Sequence, residues 1–158
     1  MNANSGTNVP LSTSLAGKYM TFKLASEQYG LEILKVRELI GLMEITRVPN
    51  TQHAIRGVIN LRGKVIPVLD LRLAFGMEAI EATGQTVIIV VQLAKGHGDL
   101  TMGILVDEVL EVRAIEAEAI EPPPQLCTQQ SVDYILGVGK TDKRVIFLLD
   151  IDRVLDAT

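Results

Sequence analysis

The chain has 158 residues, 47% of them apolar and 22% charged, with a formal net charge of −4 and a pI near 5.2. An acidic chain with 4% aromatics and no Trp argues against general nucleic-acid binding, which needs a basic face and rings on which bases stack. Its one cysteine, Cys127, excludes an internal disulfide and suits a reducing compartment, so the expected location is the cytoplasm.

Met1–Gly17 is Asn, Ser, Thr, Gly and Ala with scattered Leu, and is expected to be a disordered tail. It holds no Lys or Arg, so no secretory signal is expected. The β-branched block Val87–Val91 is far shorter than the ~20 apolar residues of a membrane helix, and no membrane insertion is expected. From Tyr19, alternation of Tyr19, Thr21 and Lys23 with Met20, Phe22 and Leu24 predicts a strand. Gly30–Ile40, Ile45–Val48 and Val65–Leu69 are also β-rich. Asn50 and Thr51 are placed to cap a short helix through Arg56, and Asp70 to cap one over Leu71–Phe75.

Past a polar gap at Glu78–Gln85, strands are expected at Thr86–Leu93, Leu100–Val106 and Val109–Ile115, the first two joined by a hairpin loop over Lys95–Asp99. Pro122–Pro124 marks a connector, since proline suits neither a helix interior nor a central strand. Asp150 is placed to cap a last helix over Ile151–Ala157.

Two internal alignments emerge. A shift of 80 lays Gly57-Val58 on Gly137-Val138, Val65-Ile66 on Val145-Ile146, and Leu69-Asp70-Leu71 on Leu149-Asp150-Ile151. A shift of 73 lays Gly30-Leu31 on Gly103-Ile104, Val36 on Val109, Glu38 on Glu111 and Pro49 on Pro122. Two related β subdomains follow, each closed or nearly closed to remove edge strands. Charge divides the same halves: residues 1–80 carry nine basic and six acidic groups, residues 81–158 six and thirteen. Such a dipolar chain is suited to head-to-tail contacts with itself or a relative.

The residues offer little for catalysis. Gly137-Val138-Gly139-Lys140-Thr141 resembles the end of a phosphate loop, but the glycine that motif requires is replaced by Tyr134, so a turn is expected there and not a nucleotide site. His53 and His97 have no partners at ligand spacing, and Cys127 has no positioned base, so no metal, cofactor or catalytic residue is expected. A shared helix cap explains both Asp70 and Asp150, whereas a carboxylate pair would explain only Asp150 with Asp152. Glu116, Glu118 and Glu121 suggest a solvated acidic face. Arg62, beside Gly63 at an expected turn, fits either an interface anchor or a solvated residue paired with a carboxylate such as Glu38. A competing class is a small β-barrel that binds an oligonucleotide or small ligand in its mouth, which predicts aromatic residues and a net basic groove; an enzyme is a third.

Tyr29-Gly30-Leu31-Glu32-Ile33-Leu34-Lys35-Val36-Arg37-Glu38, with Asn60-Leu61-Arg62-Gly63, Pro67 and Asp70-Leu71-Arg72, closely resembles the CheW family of chemotaxis coupling proteins. The resemblance runs from about Tyr19 to Leu155 and implies a CheW-like domain over residues 18–158. The implied fold is two five-stranded SH3-like β-barrels around a shared core, with few short helices. The implied role is a non-enzymatic adaptor between the cytoplasmic tips of methyl-accepting chemoreceptors and the regulatory domain of the histidine kinase CheA, recruited by receptors to the inner face of the membrane. Carried over residue by residue, the receptor contact would use Val36, Glu38 and Arg62, then Leu31, Ile33 and Ile104. The kinase contact would use Leu39, Leu42 and Gly57, and a second ring contact the stretch around Glu121 and Leu126. Relatives can carry Arg where this chain has Glu121, which bears on the sign of that contact. Self-association in rings is a further implied partnership.

Overall fold

The computed structural model describes residues 15–95, 98–123 and 134–156. In chain order it runs β1 (Gly17–Leu24), β2 (Glu27–Glu32), a 3₁₀ turn (Ile33–Lys35), β3 (Val36–Gly41), β4 (Ile55–Leu61), β5 (Lys64–Asp70) and α1 (Leu71–Ala74). It continues with β6 (Val87–Lys95), β7 (Gly98–Val106), β8 (Glu108–Ile115), a second 3₁₀ turn (Ala117–Ala119), β9 (Ile120–Glu121), β10 (Ile135–Lys140), β11 (Val145–Leu149) and α2 (Ile151–Asp156). The strands form two sheets, ordered β8-β1-β2-β11-β10-β9 and β3-β6-β7-β5-β4. The mainly β architecture of two barrel subdomains with short helices is therefore as expected.

The repeat is real, but the barrels are not the two halves of the chain. Mapping β1 to β5 onto β6, β7, β8, β10 and β11 converts one strand order into the other, apart from the two-residue β9. The counterpart of β9 is the isolated bridge between Thr46 and Val58, matching Glu121 opposite Val138. Each half thus contributes its first hairpin to the other half's barrel. The exchange is made by the two parallel pairings, Val68 beside Gly103 and Leu148 beside Gly30. Those pairs are each other's images under the shifts of 80 and 73, which reconciles the two alignments.

Burial follows from this exchange. One barrel is filled by Tyr19, Ile115, Ile120, Ile146 and Leu148, the other by Ile59, Ile66, Val68, Ile88 and Val90. Between them lies a third and larger cluster drawn from both barrels, including Phe22, Leu31, Leu69, Ile89, Ile104 and Leu149. Phe22, Tyr29, Phe75, Phe147 and Tyr134, five of the six aromatic residues, form one chain of ring contacts at centroid distances of 5.6–5.8 Å. The rings on which a nucleic-acid barrel would rely are engaged with one another.

The exchange also redistributes the charge. Residues 33–106, which supply one barrel, carry eight basic and six acidic groups; the remainder carries seven and thirteen. The polarity survives, but is weaker than the split at residue 80 implies.

Local expectations hold unevenly. Asp70 and Asp150 do begin the two helices: Asp70 Oδ1 accepts from the Arg72 amide at 3.0 Å and Asp150 Oδ1 from the Arg153 amide at 3.3 Å. The helix expected from Asn50 to Arg56 does not form. Asn50 adopts a φ of 61°, and the Thr51 hydroxyl donates back to the Val48 carbonyl instead of accepting from the next turn. Gly30–Ile40 is broken by the first 3₁₀ turn, and Ile45–Val48 yields only the Thr46 bridge. Gly137–Lys140 lies in β10, so it is strand and not a turn. The hairpin of β6 and β7 runs to the pair Lys95 and Gly98; its tip with His97 lies outside the described residues, as do Cys127 and Leu126. Most of the expected tail also lies outside them, but order begins before Tyr19: β1 opens at Gly17, and Leu15 packs on the barrel core while its carbonyl accepts from the Tyr19 hydroxyl at 2.6 Å.

Gly57 and its image Gly137 both sit where their strands bulge against a crossing segment. Gly57 has a φ of +148°, and a Cβ there would lie 2.2 Å from the Thr46 carbonyl oxygen. At Gly137, the nearest atom would be 3.1 Å away. Gly57→Ala should lower stability by about 2 kcal/mol or more through strain and overlap, and Gly137→Ala by less. Urea midpoints of the two variants test this; equal, small shifts would contradict it.

Candidate functional site at the barrel junction

The chain leaves the first barrel at β2, turns through Ile33–Lys35 and enters the second at β3. This crossover carries most of the expected receptor residues. Val36 is half-buried against the shared core, and Ile33 is half-buried on the turn. Leu31 and Ile104 are each 1% exposed and belong to the shared core. They support the junction from beneath and offer no surface to a partner.

Glu38 stands just past a register shift in the β3–β6 ladder and accepts a short charge-assisted hydrogen bond from the Arg62 guanidinium. Arg62 reaches it from the two-residue turn between β4 and β5, where Leu61 opposes Lys64. Arg62 and Gly63 have φ of 54° and 88°, the positive values that type I′ hairpin turns require at both positions. Asn60 Oδ1 fixes the turn by accepting from the Gly63 amide at 2.9 Å. An arginine at the first turn position is strained by about 1 kcal/mol relative to glycine. Its side chain remains 68% exposed while joined to Glu38. The hydrogen bond from Arg62 holds the Glu38 carboxyl below its usual range and raises the guanidinium in turn. Both alternatives for Arg62 are thus met at once: it pairs with Glu38 and still presents charge to solvent.

The residues expected to contact the kinase fall on separate surfaces. Leu39 on β3 and Leu42 just beyond it are exposed. Gly57 is buried, and its part is to admit the Thr46 crossing. Glu121 is exposed on β9 of the other barrel and is bound by Lys140 Nζ at 2.7 Å. Leu42 also lines a cleft of about 200 Å³ with Met43, Ile45, Ile80, Arg56 and Asp70. There Asp70 is buried, and its second carboxylate oxygen accepts from Arg56 at 2.8 Å.

Sequence reasoning missed two ion pairs that fasten the crossovers. Asp107, between β7 and β8, accepts from Arg72 Nε at 2.8 Å and Nη2 at 2.6 Å, and its Oδ2 also accepts from the Ala25 amide at 2.8 Å. It therefore joins α1 of one barrel to the β1–β2 turn of the other. At the opposite crossover Lys35 donates to Asp152 of α2 at 2.6 Å. Residues 72 and 152 are images under the shift of 80, so the helix supplies the cation on one side and the anion on the other. The trace of this in the sequence is that Asp152 stands in the second repeat where the first has Arg72. Burial works against charge at both Asp107 and Lys35, yet partner hydrogen bonds prevail: Asp107 is lowered from 3.8 and Lys35 raised from 10.5.

Among the described residues, no group of three or more His, Cys, Asp or Glu could hold a metal, and no helix is long and apolar enough to cross a membrane. The arrangement presents an apolar ledge, a charge pair and two exposed leucines, the chemistry of a protein interface.

Residues 18–158 match the family model described as the CheW-like domain. The chain belongs to the CheW family, the non-enzymatic scaffold and coupling proteins of bacterial chemotaxis. It is 36% identical over 140 residues to the chemotaxis protein CheW of Klebsiella aerogenes, covering 89% of this chain and 82% of that one. It is 31% identical over 139 residues to a probable chemotaxis protein CheW of Rhizobium etli, covering 88% and 87%. The crystal structure of the scaffolding protein TtCheW from Thermoanaerobacter tengcongensis superposes with a TM-score of 0.75 at 38% identity, covering 86% and 90%. Membership in the CheW family agrees with the exchanged-barrel fold and with the motif around Arg62.

Because the Asp107 carboxyl titrates below 3.8 in the folded chain, its contribution is complete above that pH and fades as pH falls through the lowered value. Asp107→Asn should reduce stability at pH 7 by about 2 kcal/mol, the worth of hydrogen bonds to a charged group. It should also flatten the loss of stability below pH 3.8. Chemical denaturation of parent and variant between pH 7 and 2.5 measures both effects.

Proposed function

We propose that this CheW-family chain is the adaptor that couples the cytoplasmic tips of methyl-accepting chemoreceptors to the regulatory domain of the histidine kinase CheA. The observation that carries the proposal is the Glu38–Arg62 pair, held on a strained turn beside half-buried Val36 at the barrel junction. Strain retained at an exposed arginine is a functional signature. A receptor's helical hairpin would lay an apolar face along Ile33 and Val36 while Arg62 meets a receptor carboxylate, apolar contact giving affinity and charge fixing register.

Leu39 and Leu42 provide a separate apolar patch for the kinase domain, and Glu121 on the acidic barrel suits a second ring contact. Glu121 is already joined to Lys140, so a partner cation there competes with an internal one. Contacts at both ends of one dipolar chain support alternation with kinase domains, or with further copies, in rings. In this role the protein is cytoplasmic and is recruited to the inner face of the membrane through receptors.

The turn geometry supplies a clean test. Arg62→Gly relieves the positive-φ strain, so its melting temperature should equal or exceed the parent's, while receptor binding falls about 30-fold or more, as for loss of a central interface charge. Affinity for the kinase regulatory domain should be unchanged. Glu38→Lys, which reverses local charge, should weaken receptor binding too. If both variants bind soluble receptor-tip bundles like the parent, the receptor contact lies elsewhere.

A further inference from the structure

We propose that β8 is a self-pairing edge, through which two copies of this chain associate by antiparallel β8–β8 pairing about a two-fold axis at Val112. The inference does not rest on the receptor-adaptor proposal, since β8 carries none of the residues assigned to receptor or kinase.

β8 ends its sheet, and among the described residues its only ladder partner is β1. Leu110, Glu111 and Val112 are exposed in succession, and Ala114 is exposed beyond them. Successive strand residues point to opposite faces, so three exposed in a row leave both faces of the edge open. The backbone agrees. The Glu111 amide donates to the Thr21 hydroxyl of β1 at 3.2 Å, and that hydroxyl donates to the Glu111 carbonyl at 2.7 Å. By strand alternation the Val112 amide and carbonyl turn the other way, toward the free edge. Edges are commonly guarded by Lys or Pro; β8 has neither, and its Leu110 and Val112 are 36% and 45% exposed.

The equivalent edge of the other barrel is closed. There β3 and β4 end the sheet, and Arg62 from the β4–β5 turn bonds Glu38 of β3 across the seam. Under the two shifts Glu38 becomes Glu111 and Arg62 becomes Asp142, two carboxylates that cannot make such a clasp. On β3 the exposed residues alternate with half-buried ones, as on a strand with one open face. One seam is clasped, and the other leaves an apolar residue free on each side of its glutamate.

The order of side chains along β8 selects a second copy as the occupant. Pairing about Val112 sets that residue against its own copy and Leu110 beside Ala114 of the other chain. It also sets Glu111 of each copy opposite Arg113 of the other, which makes two ion pairs. Within one chain Glu111 and Arg113 approach only to 4.0 Å, so both are available. An axis at residue 111 would oppose two glutamates, and an axis at residue 113 two arginines. Charge therefore fixes one register. The contact is isologous and closes at two copies, unlike the head-to-tail contacts of a ring.

Sedimentation velocity of the full chain, run up to ~1 mM because a strand edge buries less than a standard interface, tests the pairing. The parent should show a reversible monomer–dimer equilibrium, and Val112→Lys should weaken it about tenfold or more. Glu111→Arg and Arg113→Glu each oppose like charges twice, so each alone should associate about tenfold or more weakly. Mixed in equal amounts, these two variants restore opposite charges at both pairs and should regain the parent's affinity as a 1:1 heterodimer. That recovery also shows that both are folded. A parent that stays monomeric throughout overturns the inference, as does a mixture that associates no better than its components. Association that survives Val112→Lys but is lost in Leu39→Ser belongs to the β3 surface and overturns it too.

Discussion

The parallel pairing of β2 with β11 and of β5 with β7 is the constraint on which the rest of this molecule depends. β2 and β11 come from opposite halves of the chain, as do β5 and β7, so each parallel pairing joins the first hairpin of one half to strands of the other. Because each half gives away its first hairpin, neither barrel closes without the other half. The largest apolar cluster consequently lies between the barrels, where Leu31 meets the same core as Ile104 and Leu149. A hinge between independent halves is not available to such a topology.

The candidate site is a by-product of that exchange. A crossover must leave one barrel and start an edge strand of the next, so it necessarily runs over the junction. In this chain the first crossover and β3 supply Ile33, Leu34, Val36 and Glu38, while the β4–β5 turn brings Arg62 to Glu38. The shared core makes the platform rigid, and the ion pairs Arg72–Asp107 and Lys35–Asp152 fix where the crossovers run. A scaffold that transmits binding between partners needs such stiffness more than it needs any reactive group. Pre-organised contact residues reduce the ordering cost of association.

Symmetry is kept where backbone packing demands it and broken in the charged and exposed side chains. Gly57 and Gly137 admit crossing segments, Gly30 and Gly103 sit at the parallel pairs, and Asp70 and Asp150 begin helices in both halves. By contrast Arg72 becomes Asp152, Leu34 becomes Asp107, and Arg62 becomes Asp142 under the same shifts. One barrel therefore carries the Arg62 turn, and the other carries most of the acidic excess.

By itself the sequence determined the β character, the repeat, the helix-capping aspartates and the identity of Arg62 with Glu38 as the notable polar pair. These are readable because period-2 alternation, turn residues and caps are local consequences of side-chain chemistry. The aborted helix at Asn50 shows the limit of local rules, since a good capping residue there takes a positive φ and the Thr51 hydroxyl turns back to the Val48 carbonyl. What only the tertiary structure decided was which half each hairpin joins, and hence which residues are surface. Leu31 and Ile104 read as contact residues from their motif, yet the exchange places them at the centre of the shared core. The pairing of Lys35 with Asp152 could not be read from local pattern, because the two residues lie 117 apart in the chain. Sequence spacing encodes the faces of a strand; it does not encode which barrel a strand will enter, a choice made by long-range burial of apolar surface between two halves that match almost equally well.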